Sequence, residues 1–378
     1  MESNLPPPEF RFGEGKISGV LSASLGAMVF GAVLCLLFPT WLTTPEVRAS
    51  LPMGFIRGLI QAVLVLAFGL GALSVVLSRS KILGAIGMAF SIAAALLGGA
   101  EAKTSAPVRE PIAYIGLDWF ILSLLVLALL FVPMERLFAR LKDQPIFRKG
   151  WKTDLVHFGV SHLLVQVTVL LTMLPAAVLF HWAVNSEFQA AVARQPIVLQ
   201  FIGALFVADL FAYWIHRLFH VVPFLWRFHA IHHSSEAMDW LASSRLHIVD
   251  ILITRAFGFL PLYVLGFSER AIYAYLAWAS FQAIFIHANV RFNFGPLRWI
   301  LATPQFHHWH HSAEREAVDK NFAVHLPLLD VLFGSYYVPK DRWPAEYGIA
   351  GHPVPDGYVR QLVYPLKRRP YAPDDPRS

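Results

Sequence analysis

The sequence predicts an all-α fold: a polytopic bundle of transmembrane helices with a histidine-rich cap on its cytoplasmic side. Two observations support this prediction. Of the 378 residues, 56% are hydrophobic and only 15% are charged, whereas a soluble domain usually carries about 25% charged residues. Several apolar runs also reach the roughly 20 residues that an α-helix needs to cross a bilayer.

Six apolar runs are each long enough to predict one membrane span, and two further runs are shorter. The six predicted spans are 19–42, 55–77, 82–99, 113–134, 155–183 and 197–219. The shorter pair, 251–267 and 270–288, is expected to form thin spans or a re-entrant hairpin. Residues 1–18 mix acids, bases and three prolines, so we expect no cleavable signal peptide there.

Lysine and arginine are distributed unevenly, within a formal net charge of +6. They concentrate in 136–152 and in the tail around 367–369, which the positive-inside rule assigns to the cytoplasm. Alternating the spans then places 216–250 and 289–378 on the cytoplasmic side as well. The expected location is the inner membrane of a bacterium. No basic patch lies on a soluble domain, so we do not expect nucleic-acid binding.

The distribution of histidine divides the chain into two parts. Residues 1–112 contain three predicted spans and no histidine, whereas 113–378 contain all 16 histidines. The polar, proline-containing stretch 103–111 lies at the boundary. We therefore predict an N-terminal transmembrane region without an assigned role, followed by a catalytic domain.

Three short segments crowd histidines together: "HRLFH" (216–220), "HAIHH" (229–233) and "HHWHH" (307–311). Residues at i, i+3 and i+4 share one face of a helix, so each segment is expected to direct its imidazoles one way. Two more histidines flank the shorter apolar pair. The candidate metal ligands are His216, His220, His229, His232, His233, His247, His287, His307, His310 and His311. Ten imidazoles are more than one metal ion can bind, which favours two ions.

Motifs that the sequence lacks argue against zinc-protease, structural zinc and haem sites. It contains no HExxH zinc-protease pattern, and its single cysteine, Cys35, argues against a structural zinc site. Haem ligation would place single histidines deep within spans. The alternative class is a histidine-rich membrane metal transporter or metal-binding protein, whose ligands are expected at the bilayer midplane. Here the histidines lie at span ends, which favours an enzyme with two irons.

The three segments resemble the histidine boxes of the sterol desaturase / fatty acid hydroxylase family. "WKTDLVHF" (151–158), "HANV" (287–290) and "DKNFA" (319–323) extend the resemblance over about 135–340. It implies an integral membrane non-haem di-iron oxidoreductase that hydroxylates or desaturates a lipid. It also implies that the box histidines are the iron ligands, with His247 and His287 beside them and His308 at a variable position. No catalytic group beyond the metal ligands is implied.

The implied cofactors are two Fe2+ ions, with O2 as co-substrate. Because the sequence contains no dinucleotide, flavin or haem-attachment motif, electrons are expected from a separate reductase, ferredoxin or cytochrome-b5-like protein. Polar residues near the boxes are expected to orient the histidines; they are Asp209, Asp239, Asn289, Asp319 and Asn321. The boxes do not distinguish hydroxylation from desaturation, and sterol, fatty acyl chain, aminolipid and carotenoid all stay open as substrates.

Overall fold

The structure, a computed structural model, describes residues 13–103, 114–292, 294–340, 342–351 and 354–367. Within these ranges the chain is nearly all helical, with no strand and only two isolated β-bridges. The predicted all-α fold is confirmed.

Six helices in the described part of the chain are long and apolar enough to cross a membrane. They are Lys16–Leu37, Met53–Leu77, Ile82–Glu101, Leu117–Leu137, Ile197–Val221 and Ile248–Leu265. Five of them coincide with the long predicted spans, and the sixth with the first member of the shorter pair. The chain is therefore a multi-pass membrane protein.

One compact unit comprises residues 1–126 and 162–166. Its first five helices are α1 (Lys16–Leu37), α2 (Pro39–Leu42), α3 (Pro45–Ser50), α4 (Met53–Leu77) and α5 (Ile82–Leu96). Small residues let α1, α4 and α5 pack closely, as their sequence predicts. A Cβ atom added at Gly87 would lie only 2.0 Å from Oγ of Ser22. That hydroxyl donates a hydrogen bond of 2.7 Å to the carbonyl of Ala67, which ties α1 to α4.

The second compact unit comprises residues 127–161 and 167–378. Helix α6 (Leu117–Leu137) begins in the first unit and ends in the second. The helices that follow are α7 (Trp151–Leu163), α8 (Val165–Phe180), α9 (Ser186–Ala193), α10 (Ile197–Val221), α11 (Pro223–His233), α12 (Ile248–Leu265), α13 (Glu269–Phe285), α14 (Pro304–His310), α15 (Leu328–Leu332) and α16 (Tyr358–Val363).

The run 155–183, which predicted a single span, is divided into α7 and α8. The two helices have 13 and 16 residues, and each is shorter than the roughly 20 residues that a span requires. Polar contacts also distinguish α7 from an uninterrupted apolar span. Asp154 and His157 are buried in hydrogen bonds with other parts of the second unit, so this helix does not present a purely apolar surface.

A compact apolar core supports the histidine-rich region. It brings together Tyr213 from α10, Ile286 after α13, Phe306 from α14, Phe322 from the following loop and Leu329 from α15. Each of these side chains is buried. The core therefore fixes the helix ends that carry the predicted ligands.

Candidate metal centre

The predicted ligands lie on or beside the ends of five helices, α10 to α14. The last turns of α10 carry the HRLFH segment, α11 carries HAIHH, and α14 carries HHWH and is followed directly by His311. Pro223 and Pro304 occupy the first positions of α11 and α14, where the fixed φ of proline favours helix initiation. Thr303 caps α14 by accepting a hydrogen bond of 3.2 Å from the backbone N–H of Phe306.

Nine histidines form two clusters of nitrogen atoms, each able to hold a metal ion. The five-histidine cluster contains His216, His220, His229, His233 and His310. The four-histidine cluster contains His232, His287, His307 and His311. Within each cluster, one ring nitrogen from every residue lies within 4.8 Å of the others.

Each HxxHH segment is divided between the two clusters. On α11, His229 and His233 enter the five-histidine cluster and His232 enters the other. On α14 the assignment is reversed, because His310 alone joins the five-histidine cluster. Side chains at i and i+4 are rotated by about 40° about the helix axis, whereas i+3 and i+4 differ by about 100°. The expectation that each of these segments directs all its rings one way is therefore wrong.

Backbone carbonyls fix the tautomer of four cluster histidines. The contacts from Nδ1 are His216 to Phe322 O (2.7 Å), His310 to Lys320 O (2.8 Å), His232 to Arg245 O (3.1 Å) and His287 to Ala283 O (2.6 Å). A carbonyl oxygen only accepts, so Nδ1 carries the proton in each ring. In a neutral imidazole the other nitrogen, Nε2, then keeps a free lone pair that can bind a metal.

The four-histidine cluster brings such lone pairs into contact. Nε2 of His287 lies 3.2 Å from Nε2 of His232 and 3.0 Å from Nε2 of His307. Two lone pairs cannot hydrogen-bond to each other, so His232 and His287 require a cation between them. Burial lowers the pKa of His287 to about 4 and that of His232 well below its usual value, which disfavours a proton in this position. A metal ion fits, because adjacent nitrogens about 2.1 Å from one ion are roughly 3 Å apart.

The five-histidine cluster contains buried nitrogens that a metal ion would satisfy. Nε2 of His233 and Nε2 of His310 are buried and have no hydrogen-bond partner in the described part of the chain. Burial, and then the neighbouring imidazoles, lower the pKa of both rings well below the usual value. An unsatisfied buried polar atom costs about 1–3 kcal/mol. Two such neutral nitrogens pointing into one cluster therefore favour a bound cation.

Two carboxylates contact the Nδ1 atoms of histidines in the five-histidine cluster. Nδ1 of His229 lies 2.7 Å from Oδ2 of Asp250, and Nδ1 of His220 lies 3.2 Å from Oδ1 of Asp319. Thr254 donates a further hydrogen bond of 3.1 Å to Asp250. Asp319 is among the residues expected from their position near a box, whereas Asp250 is not. Its sequence signal is weak: a lone acid three residues after His247, in the first turn of α12.

The loop 319–322 provides the partners of three histidines in this cluster: the carboxylate of Asp319 and the carbonyls of Lys320 and Phe322. Asn321 anchors this loop. Its side-chain amide donates to the carbonyl of Phe306 and accepts from the backbone N–H of Tyr337, at 2.8 Å and 2.7 Å.

The other expected orienting residues act elsewhere. Asp209 accepts hydrogen bonds from the three backbone N–H groups of residues 324–326, and Asn289 binds Leu141. Asp239 pairs with Arg148. None of the three has a hydrogen bond to a cluster histidine among the contacts described for these residues.

The structure brings nine of the ten predicted ligands into the clusters and leaves His247 outside both. Nδ1 of His247 accepts a hydrogen bond of 3.1 Å from the backbone N–H of Val249, which caps α12. Nε2 lies 3.1 Å from the carbonyl of Leu362.

His308 also lies outside the clusters. Its ring bonds the hydroxyl of Tyr347 at 2.8 Å, which agrees with its position as the variable residue of the box.

A small cavity reaches the five-histidine cluster. It is lined by His220, Trp226, His233, His310, Ser312, Asp319 and neighbouring residues. The lining combines apolar and polar groups, and Asp319 is partly exposed there. The cavity therefore borders both the buried cluster and the partly exposed carboxylate of Asp319.

Comparison with known proteins supports the family resemblance. A model of the fatty acid hydroxylase family matches residues 201–335. Ornithine lipid hydroxylase OlsE of Rhizobium tropici is 34% identical over 175 residues, which cover 46% of this chain and 52% of the relative. Alkylglycerol monooxygenase of Homo sapiens is 34% identical over 153 residues, covering 40% of this chain and 33% of the relative.

A more distant relative is very-long-chain aldehyde decarbonylase GL1-4 of Oryza sativa subsp. indica, which is 25% identical over 134 residues. These cover 32% of this chain and 21% of the relative. The chain thus spans about half the length of the ornithine lipid hydroxylase and a third of the human monooxygenase. No solved structure matches the chain.

Proposed function

We propose that the chain, which belongs through residues 201–335 to the fatty acid hydroxylase family, is a membrane di-iron enzyme that hydroxylates a lipid. The observation that supports this best is the pair of adjacent histidine clusters, each able to hold a metal ion. The names of two relatives, an ornithine lipid hydroxylase and an alkylglycerol monooxygenase, both describe the oxygenation of a lipid. We assign the activity to residues 113–378 and leave 1–112 without a role.

The proposed reaction converts a lipid C–H bond, O2, two electrons and two protons into a C–OH group and one water molecule. Desaturation would use the same oxidant and electrons but would release two water molecules. The names of the two relatives favour hydroxylation. Bound iron would supply the activation of O2. The electrons would come from a separate reductase, ferredoxin or cytochrome-b5-like protein, since the sequence has no redox-cofactor motif of its own.

The contribution of the chain is to hold neutral imidazoles in place and to exclude water. His216 and His310 are fixed by carbonyls of the loop 319–322, so their Nε2 atoms stay available for the metal. His307 and His311 are at most 2% exposed, so bulk water does not surround the four-histidine cluster. Such a dry site limits side reactions of activated oxygen.

The proposed location is the bacterial inner membrane, with the clusters on the cytoplasmic side. This assignment is supported by the basic segment 136–152. A soluble cytoplasmic electron donor could then approach the clusters, while the substrate enters from the bilayer.

The test is to purify the full chain in detergent, load it anaerobically with Fe2+ and supply isotopically labelled O2 with a chemical reductant. Ornithine lipids and alkylglycerols would be offered separately, and the products measured by mass spectrometry. The expected product carries one labelled oxygen atom, made by protein with about two irons per chain. Active protein, prepared anaerobically, that holds only zinc would contradict the proposal. Loss of two hydrogens without gain of oxygen would instead indicate desaturation.

A further inference from the structure

We propose that the chain makes the two iron sites electronically unequal, because carboxylates support only the five-histidine cluster. This inference rests on the proposed function for the presence of iron, and it deepens that function by assigning different roles to the two irons. Asp250 and Asp319 are the positioning residues on which this inference rests.

Asp250 is a buried anion aimed at the cluster. It is 3% exposed, and the ion pair described for it joins its Oδ2 to Nδ1 of His229 at 2.7 Å. A carboxylate buried away from water is costly unless a cation compensates it. A metal ion bound through the other face of the His229 ring would provide this compensation.

Asp319 provides a second negative charge to the same cluster, through His220. Its backbone has φ 57°, the left-handed region that non-glycine residues seldom occupy. Such a conformation costs about 1–3 kcal/mol and persists where surrounding contacts enforce it. Here the loop conformation places the carboxylate 3.2 Å from the His220 ring.

The four-histidine cluster has a different environment. His232 and His287 donate from Nδ1 to neutral backbone carbonyls. Nδ1 of His307 and Nδ1 of His311 are buried without a hydrogen-bond partner among the described residues. The acid that influences His287 electrostatically, Asp154, is already neutralised by ion pairs with Arg148 and Arg245. No carboxylate hydrogen bond to this cluster is found in the described part of the chain.

This difference has a chemical consequence. A carboxylate behind a ligating imidazole raises the basicity of that ligand, and more basic ligands stabilise the more oxidised metal ion. The iron in the five-histidine cluster is therefore held more tightly and has the lower reduction potential. The iron in the four-histidine cluster, with four neutral ligands, is the more easily reduced of the two.

Mössbauer spectroscopy of the full-length protein loaded with iron-57 tests this inference without relying on turnover. The reduced protein is expected to show two quadrupole doublets of equal area with different parameters. Asp250→Asn should shift one doublet and leave the other unchanged, and it should raise the reduction potential of one iron. It should also weaken the retention of one iron against a chelator by about 10–100-fold. Asp319→Asn should move the same doublet, and its partly exposed side chain makes this variant a second test if Asp250→Asn fails to fold.

Asp209→Asn is the matched control. Asp209 is also fully buried but binds backbone N–H groups of residues 324–326, so both doublets and the retention of iron should stay unchanged. Identical doublets in the native protein, or equal shifts of both in Asp250→Asn, would overturn the inference and leave the proposed function standing. Two unequal irons in a protein that oxidises no lipid would support the inference and contradict the proposed function. Fewer than two irons per chain would contradict both.

Discussion

His232 and His233 are neighbours in the chain, yet their rings enter different metal clusters. The same is true of His310 and His311 on α14. The rings of His233 and His311, one from each cluster, stack with centroids 4.4 Å apart and planes inclined by 24°. The two clusters are therefore adjacent, and their relative position is set by helix geometry, which is more rigid than a loop.

Substitution of a single ligand in either cluster should remove one iron and leave the other in place. His232→Ala removes a ligand of the four-histidine cluster, and His310→Ala removes one of the five-histidine cluster. We expect both to abolish turnover, and each to lower iron from about two to about one per chain, because the other cluster keeps all its ligands. Insertion into the membrane should be unchanged, since apolar packing holds the helices. Metal analysis, an activity assay and membrane fractionation measure the three quantities.

Two other histidines are controls for this experiment. His308 is buried on the same helix but lies outside both clusters, so His308→Ala should keep two irons. His181 is exposed, in a short 3-10 helix, and His181→Ala should keep most activity. If all four variants lost iron equally, the assignment of the cluster histidines as the metal ligands would be refuted, and loss of both irons in either ligand variant would contradict two independent clusters.

The helical fold and most of the site could be predicted from the sequence, because both depend on local patterns. Apolar runs identify spans by length alone, and box spacing identifies the histidines that enter the clusters, although not which cluster each one enters. The distinction between His247 and His287 could not be predicted, since both flank the α12–α13 pair. His247 turns back to cap α12, whereas His287 follows α13 and meets His232 and His307. Only tertiary packing decides between these positions.

Contacts between residues that are distant in sequence explain the other differences between the sequence-based predictions and the structure. Asp154 directly precedes the apolar run 155–183, and its partner Arg245 is 91 residues away; His157 lies within the run, and its partner Gln361 is 204 residues away. A single sequence gives no sign of such pairs. This is why 155–183 resembled one uninterrupted span, and why Asp250 was not recognised as the partner of His229.

The buried ion pairs of Asp154 should contribute strongly to stability. Asp154 is fully buried and pairs with Arg148 and Arg245, whose carbonyl in turn holds His232. Asp154→Asn leaves two buried arginines with less compensation, and we expect a loss of about 3–5 kcal/mol in the free energy of unfolding. Chemical unfolding in detergent measures this loss. Lys149→Ala, which removes the exposed pair with Glu236, should leave stability unchanged. Equal effects in the two variants would show that the buried ion pairs contribute no more than the exposed one.

Asn321 should stabilise the loop 319–322 in two ways that can be separated. Its backbone has φ 60°, and its side chain bonds the carbonyls of Phe306 and Tyr337. Asn321→Gly removes the side-chain bonds but tolerates the left-handed backbone. Asn321→Ala removes the same bonds and adds backbone strain, so it should be less stable than Asn321→Gly by about 1–2 kcal/mol. Unfolding curves of both variants in detergent measure the difference, and equal stability would contradict the role of the backbone conformation.

The divided segment α7–α8 should still cross the membrane once. Arg148, before α7, pairs with Asp239, after α10 and α11, so the chain before α7 and the chain after α10 lie on the same side. Helix α10 is long and apolar enough to cross the membrane once, and if it does, the segment between Arg148 and α10 must cross as well. In a Cys35→Ala background, Ser186→Cys should therefore react with an impermeant thiol reagent in intact spheroplasts. Lys142→Cys, also at an exposed position, should react only after permeabilisation if 136–152 is cytoplasmic. Labelling of both positions from outside would show that α7–α8 does not cross. Labelling of Lys142→Cys but not Ser186→Cys in intact spheroplasts would place the histidine clusters on the outer face, out of reach of a cytoplasmic electron donor.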